Sequence, residues 1–425
     1  MSRRALSLLP NSVPTSRRIP STQLPIVFTR FSSSTPSITI TNRGRRTLPA
    51  LFARGGTSNG LIFHAADLPR DRALWRDILA PAMGSPDPKH ARQLDGMGSG
   101  VSSTSKVCIL ERSEREDADV DFTFVQVGIT DGELDWAGNC GNMSSVVGPA
   151  ALEMGFVPAE RVQVERDERT GERVARVRIW NTNTRKVVVA RFTVDEGMPP
   201  RFVPEGDYAM AGVPGTGSKV VLSFLKPGGA KTGRVLPTGN AIDRIRLSNG
   251  REVEASLVDV SNPGVFVRAG LDLLPFEKLT AAEVEQNEAT MNLLEEIRRE
   301  GARMMGLDPD TPSIPKLVFV DSPIPSQGEY HHHLRCRALS MRQLHKAVPL
   351  TLGLCLGAAA RIPGTIPFLA AQGVENSSGP GSATVRIAHA SGLLEVGTTI
   401  DENGELLSAD LIRTCRILMK GEVYY

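Results

Sequence analysis

The stretch Leu134-Asp-Trp-Ala-Gly-Asn-Cys-Gly-Asn-Met-Ser-Ser-Val-Val-Gly-Pro-Ala-Ala-Leu-Glu-Met-Gly155 sets a polar loop, Asn139 to Asn142, directly in front of an apolar segment. Asn142 is a suitable N-cap. Ser144, Ser145, Gly148, Ala150 and Ala151 are small enough for close packing on every side, and Gly155 supplies a stop. The pattern predicts a buried helix, with Pro149 as a candidate kink. Such a helix aims its first N–H groups and the positive end of its dipole at whatever lies in front, so Asn139–Asn142 is a predicted anion site. A thiol in that field, Cys140, suits acid/base work or nucleophilic attack. The other reading of Cys140 is a small residue packed in a tight turn.

Outward from this helix, 425 residues predict two to three domains, and 40% hydrophobic residues suffice for a substantial core. The net charge is +2, with much of the positive excess in the first segment, so no nucleic-acid surface is expected. Met1 to Ala66 contains no Asp or Glu, while Arg3, Arg4, Arg17, Arg18, Arg30, Arg43, Arg45 and Arg46 are interspersed with Ser, Thr and Pro. That composition predicts a transit-like segment over residues 1–46 and a mitochondrial matrix location; a disordered basic tail on a cytoplasmic protein is the alternative. The five cysteines lie far apart without a paired spacing, which points to a reducing compartment. No apolar run reaches the roughly 18 residues of a membrane span.

Ala53-Arg-Gly-Gly-Thr-Ser-Asn-Gly60 reads as a glycine-rich turn between apolar stretches, open to an anion or simply a turn, and it lacks the Lys of a Walker loop. Asp71–Met83 reads as a short amphipathic helix. Gly96–Lys106 is a polar loop that places Lys106 at the mouth of the strand Val107–Glu111, where it is either a functional amine or a solvated end residue. Further strands are predicted at Asp121–Gly128, Arg173–Asn181 and Lys186–Val194.

A boundary is expected near Glu196–Arg201. The second half repeats the plan, with strands at Lys219–Leu225, Val253–Val260, Val265–Ala269, Lys316–Asp321, Ala383–Ala390 and Leu393–Ile400 around an apolar helix at about Met341–Ala360. A charged helix, Ala281–Met305, lies outside. Each half is thus expected to be a curled sheet on one buried helix, the two helix starts facing across a cleft. Pro237-Thr-Gly-Asn240, Asp259–Gly264 and Arg337-Ala-Leu-Ser-Met341 read as loops aimed at a ligand, or as ordinary turns and caps. His331-His-His333 does not read as a metal site, because consecutive histidines do not converge on one ion.

In this order, Arg54-Gly-Gly-Thr-Ser58, Asp95-Gly-Met-Gly98, Ser102-Ser-Thr-Ser-Lys106, Asp135–Asn142, Pro237–Asn240, Asn262-Pro-Gly264 and Arg337–Met341 resemble the 2-methylaconitate cis-trans isomerase (PrpF) family. The resemblance covers nearly everything after Leu48. It implies an α+β, diaminopimelate-epimerase-like fold of two similar domains, each a mainly antiparallel sheet around a central helix. The expected domains are 47–198 and 199–425, with the last strand returning to the first. It also implies movement of a double bond in unsaturated di- and tricarboxylates without a cofactor, with Lys106 and Cys140 matching the family's catalytic lysine and active-site cysteine. One departure is visible: the family's usual Gly-Gly-Thr-Ser-Lys-Gly carries Asn59 here.

Removing an allylic proton spreads charge into a carboxylate, so the site needs a neutral base, a returning acid and fixed N–H donors. Lys106 is the expected base. Asn139, Gly141 and Asn142 are expected to hold one carboxylate, and Ser340 and Met341 another. Arg54, Ser58, Thr238 and Asn240 complete the expected substrate-binding set. Metal, membrane and nucleic acid have no expected part, and homo-oligomerisation stays open. 2-Methylaconitate, aconitate, methylitaconate and oxalomesaconate all fit this chemistry. A thiol-based hydrolase lacks an orienting His motif beside Cys140, and a non-catalytic tricarboxylate binder would dispense with Lys106.

Overall fold

A computed structural model describes residues 39–40, 46–136, 139–167, 170–270, 281–324, 331–340, 343–345, 348–374 and 379–425. The decisive stretch forms the helix Gly141–Glu153, buried continuously from Met143 to Ala151 and unbroken at Pro149. Its small residues matter. A Cβ on Gly148 would lie 2.7 Å from the Phe192 ring, so the sheet closes tightly on the helix. The helix ends as its sequence requires: Gly155 takes φ +73°, and the N–H of Phe156 returns to the carbonyl of Ala151 at 2.9 Å. The N-cap, however, is Cys140 and not Asn142. Asn142 lies within the first turn because its amide is drawn elsewhere, donating to Thr57 Oγ1 at 3.0 Å.

Strands Arg46–Gly55 and Ser58–His64 form a hairpin. The second of them runs parallel to Lys106–Arg112, which is antiparallel to Val120–Val127. That strand is parallel to Arg173–Asn181, which is hairpinned to Lys186–Thr193. The second lobe repeats this order. The hairpin Glu252–Val260/Asn262–Arg268 is followed by the parallel strand Lys316–Asp321 and the antiparallel Leu334–Ser340. Gly381–His389 then lies parallel to the last of these and is hairpinned to Gly392–Ile400. Even the register repeats, for Lys106 starts its strand opposite Gly60 and Lys316 starts opposite Gly264.

The joint between the lobes is the strand Val220–Leu225, which pairs with Lys186–Thr193 on one edge and Leu406–Arg413 on the other. After Arg413 the chain crosses over, and Cys415–Tyr424 pairs along Arg46–Gly55. Strand periodicity fixes which side chains meet what. Ile62, Cys108 and Leu110 point inward to the central helix, while Leu61, Phe63, Val107 and Ile109 point outward to Trp75, Ile78 and Met83 at the outer helix Arg76–Met83. In the second lobe Met291, Leu294 and Ile297 of the helix Glu288–Met304 cover Leu257, Val265 and Leu317 in the same way. The two central helices share one core. This is an α+β, diaminopimelate-epimerase-like architecture.

Two expectations are corrected. The charged helix is interrupted at Asn287, whose side chain caps a new start by accepting from the N–H of Thr290. The second central helix spans Leu350–Ala359, not Met341–Ala360. Leu334–Ser340 is a strand because its apolar residues alternate: Cys336 and Ala338 face the central core, and Leu339 faces the outer one. Ser340 therefore does not cap a helix; Pro349 stands at that position. Among the described residues, no helix is long and apolar enough to cross a membrane.

Candidate active site

The start of the first central helix is where several segments meet. The hairpin turn lies so close that a Cβ on Gly55 would sit 2.4 Å from the carbonyl oxygen of Asn142, and Gly56 has φ +53°. Only glycine satisfies both demands. The same turn grips the crossover between lobes. The carbonyl of Thr414 accepts from the N–H of Gly56 at 2.9 Å and from Arg54 Nη1 at 3.0 Å. Arg54 Nη1 also donates to Gly56 O and Thr414 Oγ1. That nitrogen is thus engaged by the protein's own oxygens.

Lys106 shares the inward parity of Cys108 and Leu110, which carries its amine off the surface; the residue is 7% exposed. Its Nζ donates to Gln126 Oε1 at 2.6 Å and lies 5.2 Å from the centre of the Phe124 ring. Gln126 is itself fixed, because its Nε2 donates to the carbonyls of Ser105 and Ser102. The lysine is therefore held by a neutral acceptor, with no carboxylate beside it among the described residues. Gly60 permits this arrangement: a Cβ there would stand 2.5 Å from the carbonyl oxygen of Lys106.

Of the five thiols, Cys140 alone is half-buried. The others are buried, and burial pushes the thiols of Cys108, Cys336, Cys355 and Cys415 up from their ordinary range, holding them protonated. Gly60 brings the lysine to the first central helix, since a Cβ there would meet both the Lys106 carbonyl oxygen, at 2.5 Å, and Met143 Cε in the first turn, at 3.1 Å. In front of Cys140 the N–H groups of Gly141, Asn142 and Met143 precede the first intrahelical bond, from Ser144 to the Cys140 carbonyl. Ser144 Oγ donates to Asn139 Oδ1 at 3.2 Å and so anchors the loop. The second helix start is adjacent: a Cβ on Gly141 would meet Leu350 at 3.2 Å and Leu411 at 3.7 Å.

The expected residues do not all converge here. Arg54, Asn139, Cys140, Gly141 and Asn142 do, and Ser58 is buried at the start of the returning hairpin strand. Thr238 and Asn240 instead bind the two oxygens of Asp243, at 2.7 and 2.8 Å, and their loop passes Gly364, beyond the far end of the second central helix. Ser340 ends its strand opposite Gln343, and Met341 lies outside the described residues. No group of three His, Cys, Asp or Glu among the described residues is arranged to hold a metal ion.

The sequence reading missed Arg413, which follows Leu411 on the inward parity of its strand and sits within electrostatic reach of Cys140 and Tyr208. A signal was available in the alternation itself, since Ala409, Leu411 and Arg413 occupy equivalent buried positions.

The chain superposes on the crystal structure of a methylitaconate-delta-isomerase with a TM-score of 0.76 and 36% identity, covering 89% of this chain and 96% of that one. The fold is that of this isomerase. The chain is 37% identical over 394 residues to 3-methylitaconate isomerase of Eubacterium barkeri, covering 89% of this chain and 97% of that protein. It is 35% identical over 397 residues to 2-methyl-aconitate isomerase of Shewanella oneidensis, covering 88% and 96%. The family model described as PrpF protein matches residues 45–425, and the chain belongs to that family.

Proposed function

We propose that the protein isomerises unsaturated di- or tricarboxylates of the 2-methylaconitate or aconitate type, by removal and return of an allylic proton and without a cofactor. The observation that carries this reading is the lysine itself: a buried amine held by a neutral amide, close to the first turn of the helix that a half-buried thiol caps. Lys106, as the free amine, takes the proton from the carbon adjacent to the double bond. The electron pair left behind delocalises through the alkene into a carboxylate, and the N–H groups of Gly141 and Asn142 stabilise the charge as it develops. Cys140 returns a proton at the far end of the allyl system to shift the double bond; return of the proton to the carbon it left, after rotation about the former double bond in the anion, changes the geometry instead.

Arg54 supports this site by fixing the hairpin turn against the helix start. Oxalomesaconate tautomerisation uses the same proton transfers, and one methyl group changes binding by only about 1–3 kcal/mol. Proton NMR of the protein with each candidate acid in deuterated buffer tests the reading. Deuterium entry at the allylic carbon, accompanied by isomer formation, is the expected result. Tight binding of the acids with no exchange would leave a non-catalytic binder. For the first 46 residues, composition supports import into the mitochondrial matrix; a reporter fused to that segment that stayed in the cytosol would overturn it.

A further inference from the structure

We propose that Arg413 is a substrate-binding residue, a guanidinium set between the two helix starts to take a carboxylate of the substrate distinct from the one held by the first helix. This rests on the isomerase reading above and names the second anionic subsite. Leu411 lies against Gly141, and Arg413 is the next residue on that face of the strand, within electrostatic reach of Cys140. The side chain is 6% exposed, yet among the described residues its one hydrogen bond runs from Nη1 to the carbonyl of the preceding Ile412. No carboxylate pairs with it among the described residues.

A buried guanidinium without an acid is expensive in free energy, and its fork of donors matches a carboxylate in two places. Burial draws its pKa down to about 10, so it remains charged at neutral pH. Its backbone is held firmly, since Thr414, the next residue, accepts from Gly56 and from Arg54. Arg54 also lies near this helix start, and among the described residues no side-chain carboxylate pairs with either guanidinium. Such a site selects a substrate bearing at least two carboxylates.

Binding tests this independently of turnover. Propane-1,2,3-tricarboxylate, which has no double bond, and its mono-amides are titrated calorimetrically into the parent, Arg413→Met and Arg413→Lys. The parent is expected to bind the triacid at least about 30-fold more tightly than one particular mono-amide, because a buried charge pair is broken. Arg413→Met should lose that preference, and Arg413→Lys should keep part of it. A variant with an unchanged melting temperature that still discriminated fully would overturn the assignment. If Arg413→Met does not fold, the lysine variant decides, since parental affinity there would show the fork to be idle. An Arg413-dependent preference without turnover of any unsaturated acid would support the subsite and sink the isomerase reading.

Discussion

Lys106 Nζ donates to Gln126 Oε1 at 2.6 Å, across two strands in which these residues are direct Cα partners. The amide accepts one proton of the amine and carries no charge, so it orients the amine without adding a counter-ion that would hold the proton in place. Gln126→Glu should reverse that. A carboxylate at this distance favours the ammonium form, and turnover at neutral pH is expected to fall at least about 10-fold, with recovery as the pH is raised. A pH–rate profile identical to the parent's would mean that the amide has no part in setting the base.

Gly60 is the hairpin residue that faces Lys106. Gly60→Ala places a methyl group 2.5 Å from the Lys106 carbonyl oxygen, a backbone atom with nowhere to retreat. Overpacking of this kind destabilises by about 1–3 kcal/mol, and here it also displaces the base. Chemical denaturation and kcat should therefore both suffer. Parental kcat in a destabilised Gly60→Ala protein would show that the base tolerates the shift.

Much of this was legible in the chain. The helix at Gly141–Glu153 declared itself through small apolar residues and the Gly155 stop, and the strand Arg173–Asn181 through its alternation. The second helix start was misplaced because Arg337–Met341 looks like a cap before an apolar run, while what makes Leu334–Ser340 a strand is its pairing with Lys316–Asp321, which no local pattern within 337–341 reports. Arg413 stayed hidden for a related reason. Its role depends on a crossover that brings residue 413 beside residue 140, and no local pattern reports that juxtaposition. Thr238 and Asn240 looked like ligand-binding side chains, yet Asp243, three residues after Asn240, takes up their polar groups.

The second lobe offers a pH test of the repeated plan. Lys316 occupies the position equivalent to Lys106, and burial brings its pKa from 10.5 down to about 8. Between those values the unfolded chain binds more protons than the folded one, so this residue makes stability rise with pH across that window. Lys316→Met should flatten the rise, as read from denaturation midpoints on either side of it. An equally steep rise in the variant would place the titrating group elsewhere.

Cys140 is the half-buried thiol, at the N-cap of the first central helix. Cys140→Ser keeps the size of the group but gives a far weaker acid, so folding and binding of the unreactive triacid should survive while turnover drops. An unchanged rate would make Cys140 a packing residue and require another proton donor.

The most direct test of the account is deuterium exchange into a substrate by Lys106→Ala, followed by proton NMR. A positioned base contributes about 10²–10⁴-fold, whereas a lysine that only attracts a carboxylate changes KM and leaves kcat near the parent value. The account predicts loss of allylic exchange by at least that factor, with the tricarboxylate still bound at the helix starts. Parental exchange in a folded Lys106→Ala protein would contradict it.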